Sequence, residues 1–309
     1  MRDQFIERLE SLARADKRIA LITGDLGFGV FDNYRKNLPE QFINAGVGEQ
    51  NMTMIATGMA LEGHIVFTYS IGNFPTLRCL EMIRNDAAYH EANVKVVCIG
   101  GGFSYGALGI SHHATEDLAI MRSLPNVTVV SPCGLWEVME ATAAITSTAG
   151  TCYLRLDKDF GDDTPKNGEA FHLGKARVLR EGTDATVLVT GGILREVQSA
   201  AAVLESKGIS TRVVSMHTIK PLDTEAILRS ATVTAALVTV EEHTIHGGLG
   251  GAVAETLLDA GVMPKRFLRV GLDVGFSSIV GSQPYLRMRY QMDGANIAAR
   301  IEKLLRLGA

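Results

Sequence analysis

Runs of consecutive apolar residues alternate with stretches of helical periodicity along the whole chain. The opening segment, MRDQFIERLESLARAD, reads as an amphipathic helix without the apolar core of a targeting signal. Apolar runs at Ile19–Thr23, Phe42–Asn44, Ile65–Tyr69, Val94–Ile99, Val127–Ser131 and Cys152–Leu156 predict strands. Between them, Met52–Leu61, Thr76–Tyr89, Thr115–Ser123 and Leu135–Thr146 predict helices. The alternation resumes later with strands at Ala185–Val189, Thr211–Ser215 and Ala236–Val240. Helices are expected at Arg195–Lys207, Thr224–Arg229, Gly250–Ala260 and Gly294–Leu307.

Strands that alternate with helices imply mostly parallel sheets covered by helices on both faces. The rhythm breaks at DKDFGDDTPKNGEAFHLG, residues 157–174, which is polar and carries glycine and proline. The expected organisation is therefore two α/β domains, 1–160 and 175–309, joined by a linker at 161–174. In open parallel sheets, ligands bind beyond the carboxyl ends of the strands. That directs attention to the loops after Thr23, Asn44, Tyr69 and Ile99, all in the first domain.

Composition narrows the class. The chain has 309 residues, enough for two cores, with 46% hydrophobic and 21% charged residues. A net charge of −4 argues against a nucleic-acid partner. No apolar run approaches the length of a membrane span. Four cysteines without CxxC spacing read as reduced core residues of a soluble, cytoplasmic protein.

Four segments carry candidate chemistry. In NAGVGEQNM a strand ends, small residues turn the chain, and Glu49 opens a helix. Glu49 either complements the helix dipole or, lying near the interior, meets a specific partner. In YSIGNFP, Phe74 is a core residue at a helix start or a flat platform for a planar ring. A glycine-rich loop from Gly100 ends in His112 and His113. Loops of this length in compact domains are usually functional. Adjacent side chains diverge, so the two histidines chelate poorly; one of them serves as acid–base or hydrogen-bonding group, or both are structural. The later segment VEEHTIHGGLGG groups acid and imidazole residues like a metal or catalytic cluster, and its glycine turn suits an anion at a helix N-terminus; it lacks the HExxH spacing of zinc proteases, which favours a structural turn.

Taken together, these segments resemble the C-terminal half of transketolases, most closely the split transketolases in which that half is a separate subunit. The resemblance rests on Gly24-Asp25-Leu26, NAGVGEQNM, the Ser70–Phe74 loop, SHHATEDLAIMRSLPNVTVVSP and VEEHTIHGGLGGAVAE, and spans essentially the whole chain. It implies a pyrimidine-binding domain followed by a transketolase C-terminal domain, with thiamine diphosphate as cofactor. Glu49 matches the glutamate that hydrogen-bonds the cofactor's pyrimidine N1′ and favours the imino tautomer that removes the thiazolium C2 proton. Phe74 matches the aromatic stacked on the pyrimidine, and Asp25 an acidic residue beside the thiazolium. His112 matches a histidine that contacts substrate hydroxyls, with His113 as its neighbour in substrate binding. Where the family has a phosphate-binding arginine near the end of this domain, Arg155 and Lys158 are the candidates. Where transketolases read a sugar hydroxyl with an aspartate, this chain has Leu108, which puts the usual pentose and heptose phosphates in doubt.

The resemblance further implies that the diphosphate and Mg²⁺ ligands come from a different, N-terminal-type subunit. Gly24-Asp25-Leu26 with Asn51 only mimics the family's metal motif, and no metal ligand is expected in this chain. The implied assembly is a heterotetramer acting on sugar phosphates by two-carbon ketol transfer. Alternatives are the β subunit of a 2-oxo-acid dehydrogenase, a deoxyxylulose-phosphate synthase fragment, and a non-catalytic partner subunit.

Overall fold

A computed structural model describes residues 1–27, 29–273 and 275–306. The first half runs α1 (Arg2–Ala15), β1 (Ile19–Thr23), α2 (Asp32–Asn37), β2 (Phe42–Asn44), α3 (Glu49–Leu61), β3 (Ile65–Ile71), α4 (Leu80–Met82), β4 (Val94–Ile99), α5 (Asp117–Ser123), β5 (Val127–Val130), α6 (Leu135–Ser147) and β6 (Thr151–Leu156). The second half runs β7 (Arg177–Arg180), β8 (Ala185–Thr190), α7 (Leu194–Glu205), β9 (Thr211–Ser215), β10 (Thr218–Lys220), α8 (Thr224–Val233), β11 (Ala236–Thr244), α9 (Leu249–Asp259), β12 (Phe267–Leu272), α10 (Gln283–Arg289) and α11 (Gly294–Arg306). Two α/β layers result, as the alternation predicts. No helix among the described residues is long and apolar enough to cross a membrane.

The first sheet has the order β10-β5-β6-β4-β3-β1-β2, the second β12-β11-β8-β9-β7. Pairing is parallel except at one edge of each sheet, where β10 meets β5 and β7 meets β9 antiparallel. Strands such as Val94–Ile99 and Ala185–Thr190 are buried along their whole length, as their largely apolar composition requires; Lys95 in the first donates to the carbonyls of Thr148 and Gly150. Helices cover both faces of the first sheet: α3 buries Met52, Ala56 and Ala60 on one. On the other, α1 buries Phe5 and Leu9 with Val138 and Ile145 of α6. All four cysteines are buried free thiols.

Several elements depart from the expectation. The helix expected over 76–89 begins as a 3₁₀ turn, Leu77–Cys79, and continues past α4 as a π-helical stretch, Ile83–Ala88. Such stretches gather at functional sites. Strands β7, β10 and β12 and helices α2 and α10 are additional. Strand β10, from the second half of the chain, pairs Thr218 with Val130 and Lys220 with Val129, so that half lends a strand to the first sheet.

Candidate active site

Strands β2, β1, β3 and β4 are neighbours in that sheet and all parallel. Their carboxyl ends therefore share one edge, and the loops after Thr23, Asn44, Ile71 and Ile99 gather there. Glycine allows the tight turns. Gly72 has φ +47°, and a Cβ on it would lie 3.5 Å from the His112 carbonyl. Asn73 then donates to the carbonyls of Ser111 (3.3 Å) and His113 (2.9 Å), tying the Phe74 loop to the histidine loop.

Glu49 is the first residue of α3 and only 5% exposed. Gly48, ahead of it, offers no side-chain cap, so the carboxylate itself faces the positive helix end. Its Oε2 accepts from Arg78 Nη1 at 2.7 Å, while Oε1 accepts nothing among the described residues. The Arg78 guanidinium lies 4.5 Å from the centre of the Phe74 ring, a cation–π contact. Phe74 in turn meets the His112 ring edge-on, with centroids 5.2 Å apart and planes at 73°. Glu49, Phe74 and His112 thus join one chain of contacts, with Arg78 as the connecting residue that the sequence reading missed. No local spacing marks it, since Phe74 lies in the turn ahead of the 3₁₀ segment that carries Arg78.

Asp25 sits beside this chain. It adopts the left-handed region at φ +54°, which aspartate tolerates. Asn44 holds it reciprocally: Asn44 Nδ2 donates to Asp25 Oδ1, and Asn44 Oδ1 accepts from the Asp25 amide, both at 3.0 Å. Gly24 abuts the glutamate, since a Cβ there would sit 3.4 Å from Glu49 Cγ. Asn44 is a second supporting residue not anticipated.

The histidine pair divides. His112 is half-buried; burial, then the neighbouring His113, pushes its pKa below 6.5. Ser111 Oγ lies 3.0 Å from His112 Nδ1. His113 is buried, donates from Nε2 to the Gly106 carbonyl at 3.0 Å, and packs edge-on against Phe103. The expectation that His113 binds substrate is corrected: it fixes the loop from within and presents no surface.

Arg155 requires the same correction. Its side chain is wholly buried, Nε stands 3.1 Å from Asp117 Oδ2, and Nη2 donates to the carbonyls of Ala114 and Glu242. Tyr153 donates to the same Asp117 oxygen at 2.6 Å. These are internal supports of the domain junction, out of reach of a substrate phosphate. Lys158 is exposed instead, with Nζ 3.7 Å from the centre of the Tyr105 ring, and Tyr105 lies 6.2 Å from the His112 ring. Burial of its stem and nearby Arg2 lower its pKa.

The acidic cluster of the second half is structural, as the turn reading has it. Glu241 accepts from the amides of Leu249 (2.7 Å) and Gly250 (2.8 Å), capping α9. Glu242 accepts from the Phe103 amide at 2.6 Å and from Arg287 Nε at 2.5 Å, pinning the loop from Gly100 to the second half.

The residues at this edge fit half of thiamine diphosphate. A buried carboxylate with one open oxygen and an aromatic face nearby suit its aminopyrimidine. Among the described residues, no group of three acidic, histidine or cysteine side chains could hold a metal ion beside a diphosphate.

The family model of the transketolase pyrimidine binding domain matches residues 1–161, and that of the transketolase C-terminal domain matches residues 174–297. The chain belongs to the transketolase family. Its make-up is that of the C-terminal subunit of a split transketolase. It is 37% identical over 271 residues to an apulose-4-phosphate transketolase subunit of Phocaeicola vulgatus, covering 87% of this chain and 86% of that protein. It is 36% identical over 298 residues to the 6-deoxy-6-sulfo-D-fructose transketolase subunit of Clostridium sp. strain MSTE9, covering 96% and 92%. A solved structure described as a split gene transketolase, inactive beta4 tetramer, superposes with a TM-score of 0.87 at 31% identity, covering 100% of this chain and 98% of that one.

Proposed function

We propose that this chain is the pyrimidine-binding subunit of a thiamine-diphosphate-dependent transketolase that moves a two-carbon ketol unit from a ketose phosphate to an aldose phosphate. The observation that carries the reading is the buried Glu49 carboxylate in line with Phe74 and His112. Bound there, the cofactor would supply the electron sink for carbon–carbon cleavage. With the cofactor bound, the Glu49 carboxylate, open at Oε1, would hydrogen-bond the pyrimidine N1′, and the low-dielectric pocket would strengthen that bond. Arg78 orients the carboxylate through Oε2. Phe74 offers a ring face, while Asn44 keeps Asp25 turned toward the thiazolium side. His112, neutral at pH 7 because of its lowered pKa, donates to or accepts from substrate hydroxyls. Lys158 takes over from Arg155 as the candidate for the substrate phosphate.

Diphosphate and Mg²⁺ ligands come from a partner subunit of the N-terminal type, giving two copies of each chain around interfacial sites. Support comes from relatives named as subunits and from the inactive state of the beta4 tetramer. Leu108, 57% exposed beside this site, offers a sugar hydroxyl no partner. An unusual ketose donor follows, in keeping with relatives named for apulose 4-phosphate and a sulfofructose.

The test is purification of the chain alone and with its partner, assayed with thiamine diphosphate, Mg²⁺ and a panel of ketose phosphates. Turnover should need both chains. Full turnover by this chain alone, or turnover of 2-oxo acids in place of ketose phosphates by the pair, would overturn the reading.

A further inference from the structure

A cleft of about 560 Å³ opens in the second half, and none of the chemistry above uses it. Its floor is the edge strand β12 at Leu268; its walls are the end of α10, with Arg289 and Tyr290, and α11, with Arg300 and Lys303. Asp273 is the one carboxylate that lines it among the described residues. No residue from the loops around Glu49 takes part. The volume is that of an ordinary small-molecule site, and one wall is fixed. The Tyr290 ring stacks on Phe103 at 5.5 Å, and its hydroxyl donates to Ser277 at 2.7 Å.

The charges in the cleft are unbalanced. Elsewhere the protein gives its buried arginines carboxylates: Arg155 has Asp117, Arg177 has Glu137 and Glu169, and Arg287 has Glu242 and Asp159. Arg300 departs from that pattern. It is half-buried, and its one hydrogen bond among the described residues runs from Nη2 to the Arg269 carbonyl at 3.2 Å. Burial lowers its pKa, and the Asp273 charge opposes that shift only in part. Arg289 and Lys303 also lack ion-pair partners among the described residues. Among the described residues, three cations against one carboxylate leave a surplus that suits a dianion. A cation withdrawn from water without a counter-ion is costly, and a guanidinium fork beside an ammonium matches phosphate oxygens.

We infer that this cleft is a binding site for a phosphate-bearing small molecule, separate from the cofactor and sugar site. The inference does not rest on the transketolase reading. Inorganic phosphate is the probe, added to the full-length chain, and the readout is the rate of Lys303 acylation by an amine reagent, followed by peptide mass spectrometry. Exposed Lys17 is the internal control. At phosphate about ten times its dissociation constant, mass action predicts roughly tenfold slower labelling of Lys303, with Lys17 unchanged. Sodium chloride at matched ionic strength should give no protection. Arg300→Gln should abolish protection, and so should Arg289→Ser, a surface change that leaves folding intact. Equal labelling in phosphate and chloride would overturn the site, as would protection that survives both substitutions.

Discussion

Arg155 offers the sharpest test of the division between scaffold and site. Its guanidinium is wholly buried and faces Asp117, which also accepts from Tyr153, while Asp157 stands 3.9 Å away. Arg155→Met removes the cation and leaves the Asp117 carboxylate buried and uncompensated. Breaking a buried pair in this way costs about 3–5 kcal/mol, a large share of the roughly 5–15 kcal/mol that holds a typical fold together. At about 2–4 °C per kcal/mol, the midpoint of thermal unfolding should fall by roughly 6–20 °C. Adding Asp117→Asn removes the stranded charge, so the double variant should recover at least about 1 kcal/mol relative to simple addition. The assay is thermal unfolding by circular dichroism on both single variants and the double. Michaelis constants for the sugar phosphate, measured below the transition in the reconstituted pair, should stay within about twofold, since the side chain touches no substrate. Unchanged melting together with a tenfold rise in the Michaelis constant would refute the reasoning and return Arg155 to the substrate.

Other predictions bear on the proposed site. Glu49→Gln should lower turnover of the reconstituted pair by about 10²–10⁴, the usual worth of a positioned acid–base group, with unchanged melting; steady-state kinetics checks it. Phe74→Leu should raise the Michaelis constant for thiamine diphosphate about 2–12-fold, from the 0.5–1.5 kcal/mol of an aromatic contact. His217 is buried, stacked on Phe171 at 4.2 Å, and burial holds its pKa below 6.5. The unfolded chain then binds the proton more readily, so this contribution to stability is complete above about pH 6.5 and is lost as pH falls. Melting temperature should therefore drop between pH 7 and 5, and His217→Gln should flatten that slope.

The parts of the fold legible in the sequence were those where one local pattern decides. Val94–Ile99 and Thr211–Ser215 are short, rich in β-branched residues and buried along their whole length, a local pattern that favours a strand. Elements whose identity depends on distant partners were not legible. Thr218–Lys220 is three residues long and becomes a strand only because β5, from the other half, lies alongside. Arg177–Arg180 is a polar edge strand, and α10 is seven residues with little apolar periodicity. The site showed a similar split. Glu49 stands out because a carboxylate opens a helix after a glycine turn, and Phe74 because an aromatic stands in a glycine turn just ahead of one. Whether Arg155 and His113 face inward depended on packing between halves that no local spacing encodes. Arg78 was overlooked because a lone half-exposed arginine resembles any other until its carboxylate partner is known.

The strand that crosses between halves has a practical consequence. Protease nicking or gene truncation at 161–174, where the sequence invites a cut, would unzip the outermost rung beside β5 and expose its backbone to water or to another chain. The two halves are thus stitched rather than hinged. Separating the halves therefore means breaking the β10–β5 pairing as well as cutting the chain.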